Sequence, residues 1–233
     1  MCTGFIRKGK DLIYGFNLDI DPKEWSFDIY KTKNYFTVGI TVGSTTYFTH
    51  GVNANGNFGN LPYMNGEEYN YPKKTERQRL DLLVDRYIKG KYCYDDVLNI
   101  INTKTIINYK NTNMHSLICD ANGNVVLIEP GYGNKIIKNK YAVISNFPIL
   151  AKLKDYNNPF YGKDRYDKAT LILKESKNDF SVNDALVLLK QCSQQGQWGT
   201  RVSFVYSKNN NTVYYCLNGN FDKVLEHKLI NAV

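Results

Sequence analysis

Residues 1–19 read MCTGFIRKGKDLIYGFNLD, and this opening stretch decides how the rest of the chain is interpreted. Apolar runs on both sides of the polar turn at residues 9–11 predict a hairpin that begins almost at the N-terminus. The two arms have similar lengths, so the second arm should end beside the start of the first. We therefore expect Asp19, or Asn17, to lie close to Cys2.

Cys2 becomes the first residue if the initiator methionine is trimmed, which is usual when the next side chain is small. A free α-amine has a pKa of about 8 and a free thiol a pKa of about 8.5, so the amine can take the thiol proton at neutral pH. One residue would then supply both a nucleophile and its general base. A cysteine at position two is a weak signal by itself, and the alternative is a residue without a chemical role.

Length and composition limit the class of protein. The chain has 233 residues, of which 42% are hydrophobic, and this suits one large domain, predicted over residues 1–233. No apolar run reaches the roughly 18 residues of a membrane-spanning helix. Charged residues between Arg7 and Asp11 interrupt the segment that a signal peptide would need. We therefore expect a cytoplasmic protein with no membrane partner.

Cysteine usage and charge exclude further classes. Five scattered cysteines without a CxxC pair indicate reduced thiols, with no disulfide framework and no zinc site. The formal charge of +8 raises the question of nucleic-acid binding. The lysines are spread along the chain rather than clustered, so we interpret the charge as a solvated surface and expect no nucleic-acid partner. The positions of His50, His115 and His227 suggest neither a metal site nor another role.

Hydrophobic periodicity predicts blocks of strands that alternate with blocks of helices. Helices are predicted at residues 76–89, 94 or 95 to 101, 165–174 and 182–191, with Thr75 and Ser181 as N-caps. Strands are predicted at residues 5–8, 12–16, 35–42, 45–49, 116–119, 125–129, 141–145, 201–206, 212–217 and 224–227. Residues 133–139 read as a turn. Most strands are joined as hairpins, which favours two sheets between helical layers over a parallel βαβ architecture.

Five stretches carry a family resemblance, in order and over nearly the whole chain. They are MCTG at 1–4, GFNLD at 15–19, GVNANG at 51–56 continuing to residue 63, CDANGN with VLIEP at 119–130, and VISNFP at 143–148; DRY at 164–166 and the hairpin at 202–216 complete the series. Together they resemble the choloylglycine hydrolase and penicillin V acylase family, cysteine hydrolases of linear amides in the N-terminal nucleophile superfamily. The resemblance implies an α+β fold, the four-layer αββα sandwich of N-terminal nucleophile hydrolases.

The resemblance assigns catalytic roles to five residues. Cys2 matches the nucleophile, which forms a thioester acyl-enzyme, and Asp19 matches the acidic residue that contacts the terminal amine and the substrate. Asn146 matches the asparagine whose side-chain amide donates to the oxyanion, and the backbone N–H of Tyr63 matches the second donor. Arg165 matches an arginine whose charge favours the thiolate. The resemblance implies no cofactor and no metal.

Two positions leave alternatives open. Asn60 takes the place of Tyr63 if the alignment carries a shifted gap. Phe16 stands where family members typically have arginine, and this loss should raise the thiol pKa or change the recognition of an anionic substrate group. Arg7 and Arg201 are candidates to replace that charge.

Pocket and assembly also depart from the larger relatives. Trp25, Trp198 and Phe160 are candidates for the wall of an apolar acyl pocket, with core packing as the alternative. The segment between Asn146 and Arg165 is shorter than in typical bile salt hydrolases, where this region carries an assembly loop. We therefore leave a homo-oligomeric state open and do not transfer the tetramer of those enzymes.

The resemblance implies a bacterial-type hydrolase of linear amide C–N bonds whose partner is a small-molecule N-acyl amide. Penicillin V, conjugated bile acids and N-acyl signalling amides are candidate substrates. Tyr63 matches a tyrosine in a penicillin V acylase, so a phenoxyacetyl or fatty-acyl amide ranks above a bile salt. The alternatives are a conjugated bile salt hydrolase, a cysteine glutaminase domain and, because of Phe16, a degenerate member that binds acyl amides without turnover.

Overall fold

The secondary structure comes from a computed structural model that describes residues 2–42, 44–65, 76–150 and 161–230. The strands are β1 (Cys2–Lys8), β2 (Leu12–Asp19), β3 (Ser26–Lys31), β4 (Tyr35–Val42), β5 (Thr45–Asn53), β6 (Phe58–Gly59), β7 (Arg77–Arg79), β8 (Thr105–Ile107), β9 (Ser116–Cys119), β10 (Val125–Glu129), β11 (Gly133–Ile137), β12 (Tyr141–Ile144), β13 (Thr200–Ser207), β14 (Thr212–Leu217) and β15 (Leu225–Lys228). The helices are α1 (Leu80–Ile88), α2 (Tyr94–Thr103), α3 (Lys163–Glu175) and α4 (Val182–Gln191). Within these ranges, none of the helices combines the length and the apolar character that crossing a bilayer requires.

The N-terminal hairpin forms as predicted, and both of its arms are longer than the predicted strands at residues 5–8 and 12–16. β2 continues to Asp19, and the register pairs Cys2 with Leu18 and Lys8 with Leu12. Every residue of β2 is buried, because β1 and β13 pair with its two edges and other layers cover both of its faces. The register therefore brings the end of β2 beside Cys2.

Two antiparallel sheets face each other across the main hydrophobic core. One sheet has the strand order β12–β1–β2–β13–β14–β15, and the other has the order β11–β10–β9–β6–β5–β4–β3. Phe16, Phe36, Phe58 and Phe204 are fully buried in the core cluster that both sheets share. Burial of each such side chain contributes about 1.5–3 kcal/mol to folding. Aromatic packing between the sheets therefore fixes how they stack.

Helices cover the outer face of each sheet. α3 contacts β1 and β12, and α4 contacts β2 and β13, with Leu188 and Leu189 packed in one cluster with Phe5. On the opposite side α1 contacts β5, β6 and β9, and its Val84 and Tyr87 lie in a separate cluster. The order helices, sheet, sheet, helices confirms the predicted αββα sandwich.

The secondary structure differs from the predictions in several places. The first helix begins at Leu80 and not at residue 76, because Arg77–Arg79 form a short strand parallel to β8. Its predicted N-cap, Thr75, lies outside the described residues. The predicted turn at residues 133–139 contains β11, which pairs with β10 although its side chains are mostly exposed and give no apolar alternation. β3 was not predicted at all, since its side chains are only partly buried at the sheet edge.

Candidate active site

Cys2 lies in the wall of a cavity of about 510 Å³. Its side chain is 5% exposed, and apolar side chains such as Leu18 and Ile20 line the same space. Trp25 and Trp198 line it too, as predicted, whereas Phe160 lies outside the described residues. A thiol in the wall of an apolar cavity is accessible to an apolar group of a bound ligand.

Arg165 brings three of the predicted site residues together. Its Nη1 donates to the backbone oxygen of Cys2 at 2.9 Å, to Thr3 Oγ1 at 3.2 Å and to Asp19 Oδ2 at 3.0 Å. Its Nη2 donates to Asn146 Oδ1 at 3.1 Å. The guanidinium is almost fully buried, so these contacts hold a positive charge directly behind the cysteine.

Gly162 makes room for this guanidinium. It precedes α3 with φ at +91°, a backbone conformation that glycine adopts without steric cost. A Cβ at this position would lie 2.6 Å from Ser145 Oγ and 2.9 Å from Arg165 Nη2. The turn into α3 therefore sets the position of the Arg165 side chain.

Asn146 contacts both Cys2 and Tyr63. Its Oδ1 accepts from the backbone nitrogen of Cys2 at 2.5 Å, and its Nδ2 donates to the backbone oxygen of Tyr63 at 2.6 Å. A side-chain amide carries two N–H groups, and in the described part of the chain only the Tyr63 oxygen accepts from it. The role of Asn146 as an oxyanion donor stays a prediction.

The backbone of Tyr63 faces the same region. Tyr63 pairs with Met114 in an isolated bridge whose two hydrogen bonds are made by flanking residues. Its N–H finds no acceptor among the described residues, and its side chain, 46% exposed, lines the cavity. Asn60, the alternative donor, is fully buried and accepts the Leu117 N–H at its Oδ1. The geometry is therefore more compatible with Tyr63 than with Asn60.

The Asp19 carboxylate accepts hydrogen bonds from three polar groups beside Cys2. Thr200 Oγ1 donates to Oδ1 at 2.6 Å, while Gln194 Nε2 and Arg165 Nη1 donate to Oδ2 at 2.8 and 3.0 Å. Burial raises the pKa of Asp19 to about 6, and the hydrogen bonds and the Arg165 charge oppose that rise. The backbone N–H of Asp19 also hydrogen-bonds to the Cys2 thiol.

The surroundings of the Cys2 thiol favour its protonated form. Burial raises its pKa above the ordinary value, and the Asp19 charge adds to the rise. The positive charges of the amino terminus and of Arg165 oppose it, but the net direction is upward. The side chain is therefore a protonated thiol at neutral pH, and it becomes a strong nucleophile only when a base removes that proton.

Phe16 packs in the core instead of carrying charge to the site. It is fully buried, and its ring stacks on His50 with a centroid distance of 4.2 Å. Arg7 donates to backbone oxygens of residues 8, 176 and 177, and Arg201 donates to Ile20 and to residues 196 and 197. In the described part of the chain, Arg165 is thus the guanidinium that contacts Cys2.

A buried histidine and glutamate support the segment that follows β12. His115 places Nδ1 2.9 Å from Glu129 Oε1 and Nε2 2.5 Å from the backbone oxygen of Ser145. Glu129 also accepts the backbone N–H of Ile149 at 2.7 Å and of Leu150 at 2.6 Å. Both side chains are fully buried. This network fixes the backbone on both sides of Asn146.

Sequence reasoning missed several of these contacts. His115 was given no role, and Glu129 was noted only within a matching stretch. Thr200 and Gln194 were not singled out, although Thr200 pairs in register with Asp19. For metals, the described residues contain no group of three or more His, Cys, Asp or Glu side chains that could hold an ion.

The fold is similar to that of several solved structures. A mutant conjugated bile acid hydrolase from Clostridium perfringens matches with a TM-score of 0.68 and 13% identity, covering 98% of this chain and 92% of that one. Penicillin V acylase from Agrobacterium tumefaciens matches with a TM-score of 0.58 and 14% identity, covering 93% and 83%. An N-acylethanolamine-hydrolyzing acid amidase ortholog from Caenorhabditis elegans gives 0.51 and 16%, covering 89% and 93%.

Sequence comparison adds nothing to this likeness, because no family model and no curated protein matches the chain. At 13–16% identity the structural matches show the fold and no more than the fold. They confirm the resemblance at that level: the chain has the α+β sandwich of the conjugated bile acid hydrolase and the penicillin V acylase, the fold of the N-terminal nucleophile hydrolases.

Proposed function

We propose that this protein hydrolyses linear amide C–N bonds of small N-acyl substrates, with Cys2 as the nucleophile. The observation that carries the proposal is the position of Cys2 in an apolar cavity, with its nitrogen 2.5 Å from Asn146 Oδ1 and Arg165 behind it. The names of the structural neighbours, a hydrolase, an acylase and an amidase, support it. The bile acid hydrolase was solved as a C2A mutant, so its second residue is also cysteine.

Attack begins with proton transfer inside one residue. Once the initiator methionine is removed, the nitrogen of Cys2 is a primary amine that can take the proton of its own thiol. The sulfur then bonds to the amide carbonyl carbon. Asn146 Oδ1, which already accepts from this nitrogen, keeps the base beside the thiol.

The tetrahedral intermediate carries a negative oxygen that needs donors. We assign the backbone N–H of Tyr63 and the second amide N–H of Asn146, since neither has an acceptor in the described ranges. A single oxyanion donor of this kind is worth about 100-fold to 1000-fold in kcat. The Arg165 charge, held in place by Asp19, stabilises the same negative charge from behind.

The intermediate breaks down in two stages. The C–N bond breaks as the Cys2 ammonium returns its proton to the leaving amine, and a thioester on Cys2 remains. The freed Cys2 amine then takes a proton from water, and the resulting hydroxide attacks the thioester carbonyl. The C–S bond breaks, the sulfur recovers the proton, and the carboxylic acid leaves.

The walls of the cavity indicate which half of the substrate it takes. Leu18, Ile20, Trp25 and Leu61 line it, which suits the acyl half, so the amine half leaves toward the open side. We retain the ranking of phenoxyacetyl and fatty-acyl amides above conjugated bile salts. We also propose a cytoplasmic location, since all five cysteines are free thiols and disulfides persist mainly in oxidising compartments.

Intact mass spectrometry tests this proposal directly. The purified protein is incubated separately with penicillin V, glycocholate and N-palmitoyl ethanolamine. Each reaction is quenched in acid, the intact mass of the protein is measured, and the released amine is assayed in parallel. We expect loss of one methionine and an acyl adduct that Cys2→Ala abolishes. Cys93→Ala, which removes an exposed thiol at the start of α2, should keep both adduct and turnover. A mature chain that retains Met1, or turnover that survives Cys2→Ala, contradicts the mechanism.

A second candidate is a protein that binds acyl amides without cleaving them. Phe16 favours it, because the position carries no cation and its ring is buried against His50. The same experiment separates the two functions. Saturable binding of the amides without an adduct and without amine release across the panel would support the binding protein.

A further inference from the structure

His50 lies in the cavity wall and has one side of its ring fixed. It belongs to β5, is 2% exposed, and lines the same cavity as Cys2. Its ring stacks on Phe16 with an interplanar angle of 21°. The Leu61 N–H donates to Nδ1 at 3.1 Å. Stacking and this hydrogen bond together prevent the ring from turning.

The same contacts determine which ring nitrogen carries hydrogen. Nδ1 accepts a hydrogen bond, so in the neutral ring the hydrogen is on Nε2. Burial lowers the pKa of His50 to about 3, so the ring is neutral across the ordinary pH range. Within the described residues Nε2 finds no acceptor. His50 lines the cavity, so an apolar ligand that displaces water from this wall would leave the Nε2–H without an acceptor, which is unfavourable.

We propose that the Nε2–H of His50 is a subsite that donates a hydrogen bond to an uncharged oxygen on the acyl group, such as an ether, hydroxyl or ketone. This inference rests on the proposed function, since it assumes that the acyl half enters the cavity. A carboxylate at this position would lose its hydration among Leu18, Ile40 and Leu61 in exchange for one neutral donor. A plain hydrocarbon would leave the N–H unpaired. The subsite therefore selects an acyl chain that carries oxygen.

Equilibrium binding to the Cys2→Ala protein tests this without relying on turnover. The first probes are N-methyl decanamide and a series of analogues, each with a single chain CH2 replaced by an ether oxygen at a different position. The second probes are N-methyl phenoxyacetamide and N-methyl 3-phenylpropanamide, which differ by the same replacement. Calorimetric titration gives each Kd. We expect at least one oxygen analogue to bind about tenfold tighter than its CH2 parent, as one satisfied buried donor predicts.

Two substitutions distinguish the acceptor role of His50 Nδ1 from the donor role of Nε2. In His50→Asn the amide oxygen can still accept from Leu61 N–H, but the side chain is too short to donate at the Nε2 position, so the preference for oxygen should disappear. In His50→Gln the amide NH2 reaches that position, and part of the preference should return. His227→Asn, outside the cavity wall, should change nothing. With 15N-labelled histidine, the His50 Nε2–H resonance should shift on binding of the preferred analogue.

Each other outcome overturns the inference. It is wrong if no oxygen analogue binds more tightly than its parent, if none of the probes binds, or if the preference survives His50→Asn. If His50→Asn does not fold, an unchanged Nε2–H resonance in the Cys2→Ala protein has the same meaning. Failure of the proposed function is seen separately, as absence of acylation in the protein with Cys2 intact.

Discussion

Replacing Glu129 with glutamine should destabilise the protein strongly, although the two side chains have the same shape. Glu129 Oε1 meets His115 Nδ1 and the Ile149 N–H, and Oε2 accepts the Leu150 N–H. Glutamine has only one acceptor oxygen. In either orientation its NH2 group therefore faces a backbone N–H, and at least one buried donor loses its acceptor.

The expected loss follows from these contacts. A hydrogen bond to a charged group contributes about 1.5–3 kcal/mol, and a buried donor left without an acceptor costs about 1–3 kcal/mol. We expect Glu129→Gln to lower the free energy of unfolding by about 3–5 kcal/mol, a large part of the typical 5–15 kcal/mol. Urea unfolding at pH 7 with linear extrapolation measures it. The matched control is Glu226→Gln on β15, which is exposed and should change stability by less than about 0.5 kcal/mol.

Activity gives a second measurement on the same variant. The network holds the backbone beside Asn146. The fold-decrease in kcat of the variant should therefore exceed its fold-increase in KM on any amide that the wild type cleaves. A destabilisation below about 1 kcal/mol would refute the reasoning. It would mean that the segment after β12 is held by other contacts and that the buried pair is incidental to the site.

Three further predictions concern the site and its surroundings. Gly162→Ala should reduce amide turnover about 100-fold, because a Cβ would displace Arg165. The control is Gly196→Ala, which also lies at positive φ but in open space, so it measures the effect of backbone strain alone. Equal losses in the two variants would contradict the steric argument. The pKa of Asp19 is raised to about 6, so the folded state favours the protonated form. Wild-type stability should therefore fall by about 2 kcal/mol between pH 4 and 7, and the stability of Asp19→Asn should not. Parallel stability curves of the two proteins in urea would show that the shift is absent. Phe16→Arg should not restore a catalytic cation but should lower the free energy of unfolding by at least about 3 kcal/mol, because it buries an unpaired charge. The control Phe16→Leu should lower it by about 1–2 kcal/mol. An arginine variant with the wild-type Tm would show that this position opens to the cavity.

Local signals in the sequence predicted the features that depend on neighbouring residues. The hairpin of β1 and β2 follows from a polar turn between two apolar runs of similar length, and its register brings Asp19 beside Cys2. The order of strand and helix blocks predicted the layers. Where the side chains lack apolar periodicity, as in β11, the pairing of the backbone alone makes the strand, and the sequence pattern could not reveal it.

Contacts between distant residues could not be read from the pattern. Thr200 and Asp19 meet because β13 pairs with β2, and His115 meets Glu129 because β9 and β10 bring them into one buried layer. The resemblance named Asn146 but not the direction of its amide, whose Nδ2 faces the Tyr63 oxygen. Such details depend on packing, which composition and spacing do not specify.

The position of β2 has a consequence for how the polypeptide is made. β2 is complete when residue 19 leaves the ribosome, yet its neighbour β13 is synthesised about 180 residues later. β13 also carries Thr200, which donates a hydrogen bond to Asp19. Until then one edge of the N-terminal hairpin presents unpaired backbone groups, which invite pairing with other chains. A nascent chain should therefore be inactive and prone to aggregate until β13 has emerged. Truncation before residue 200 should have the same effect permanently.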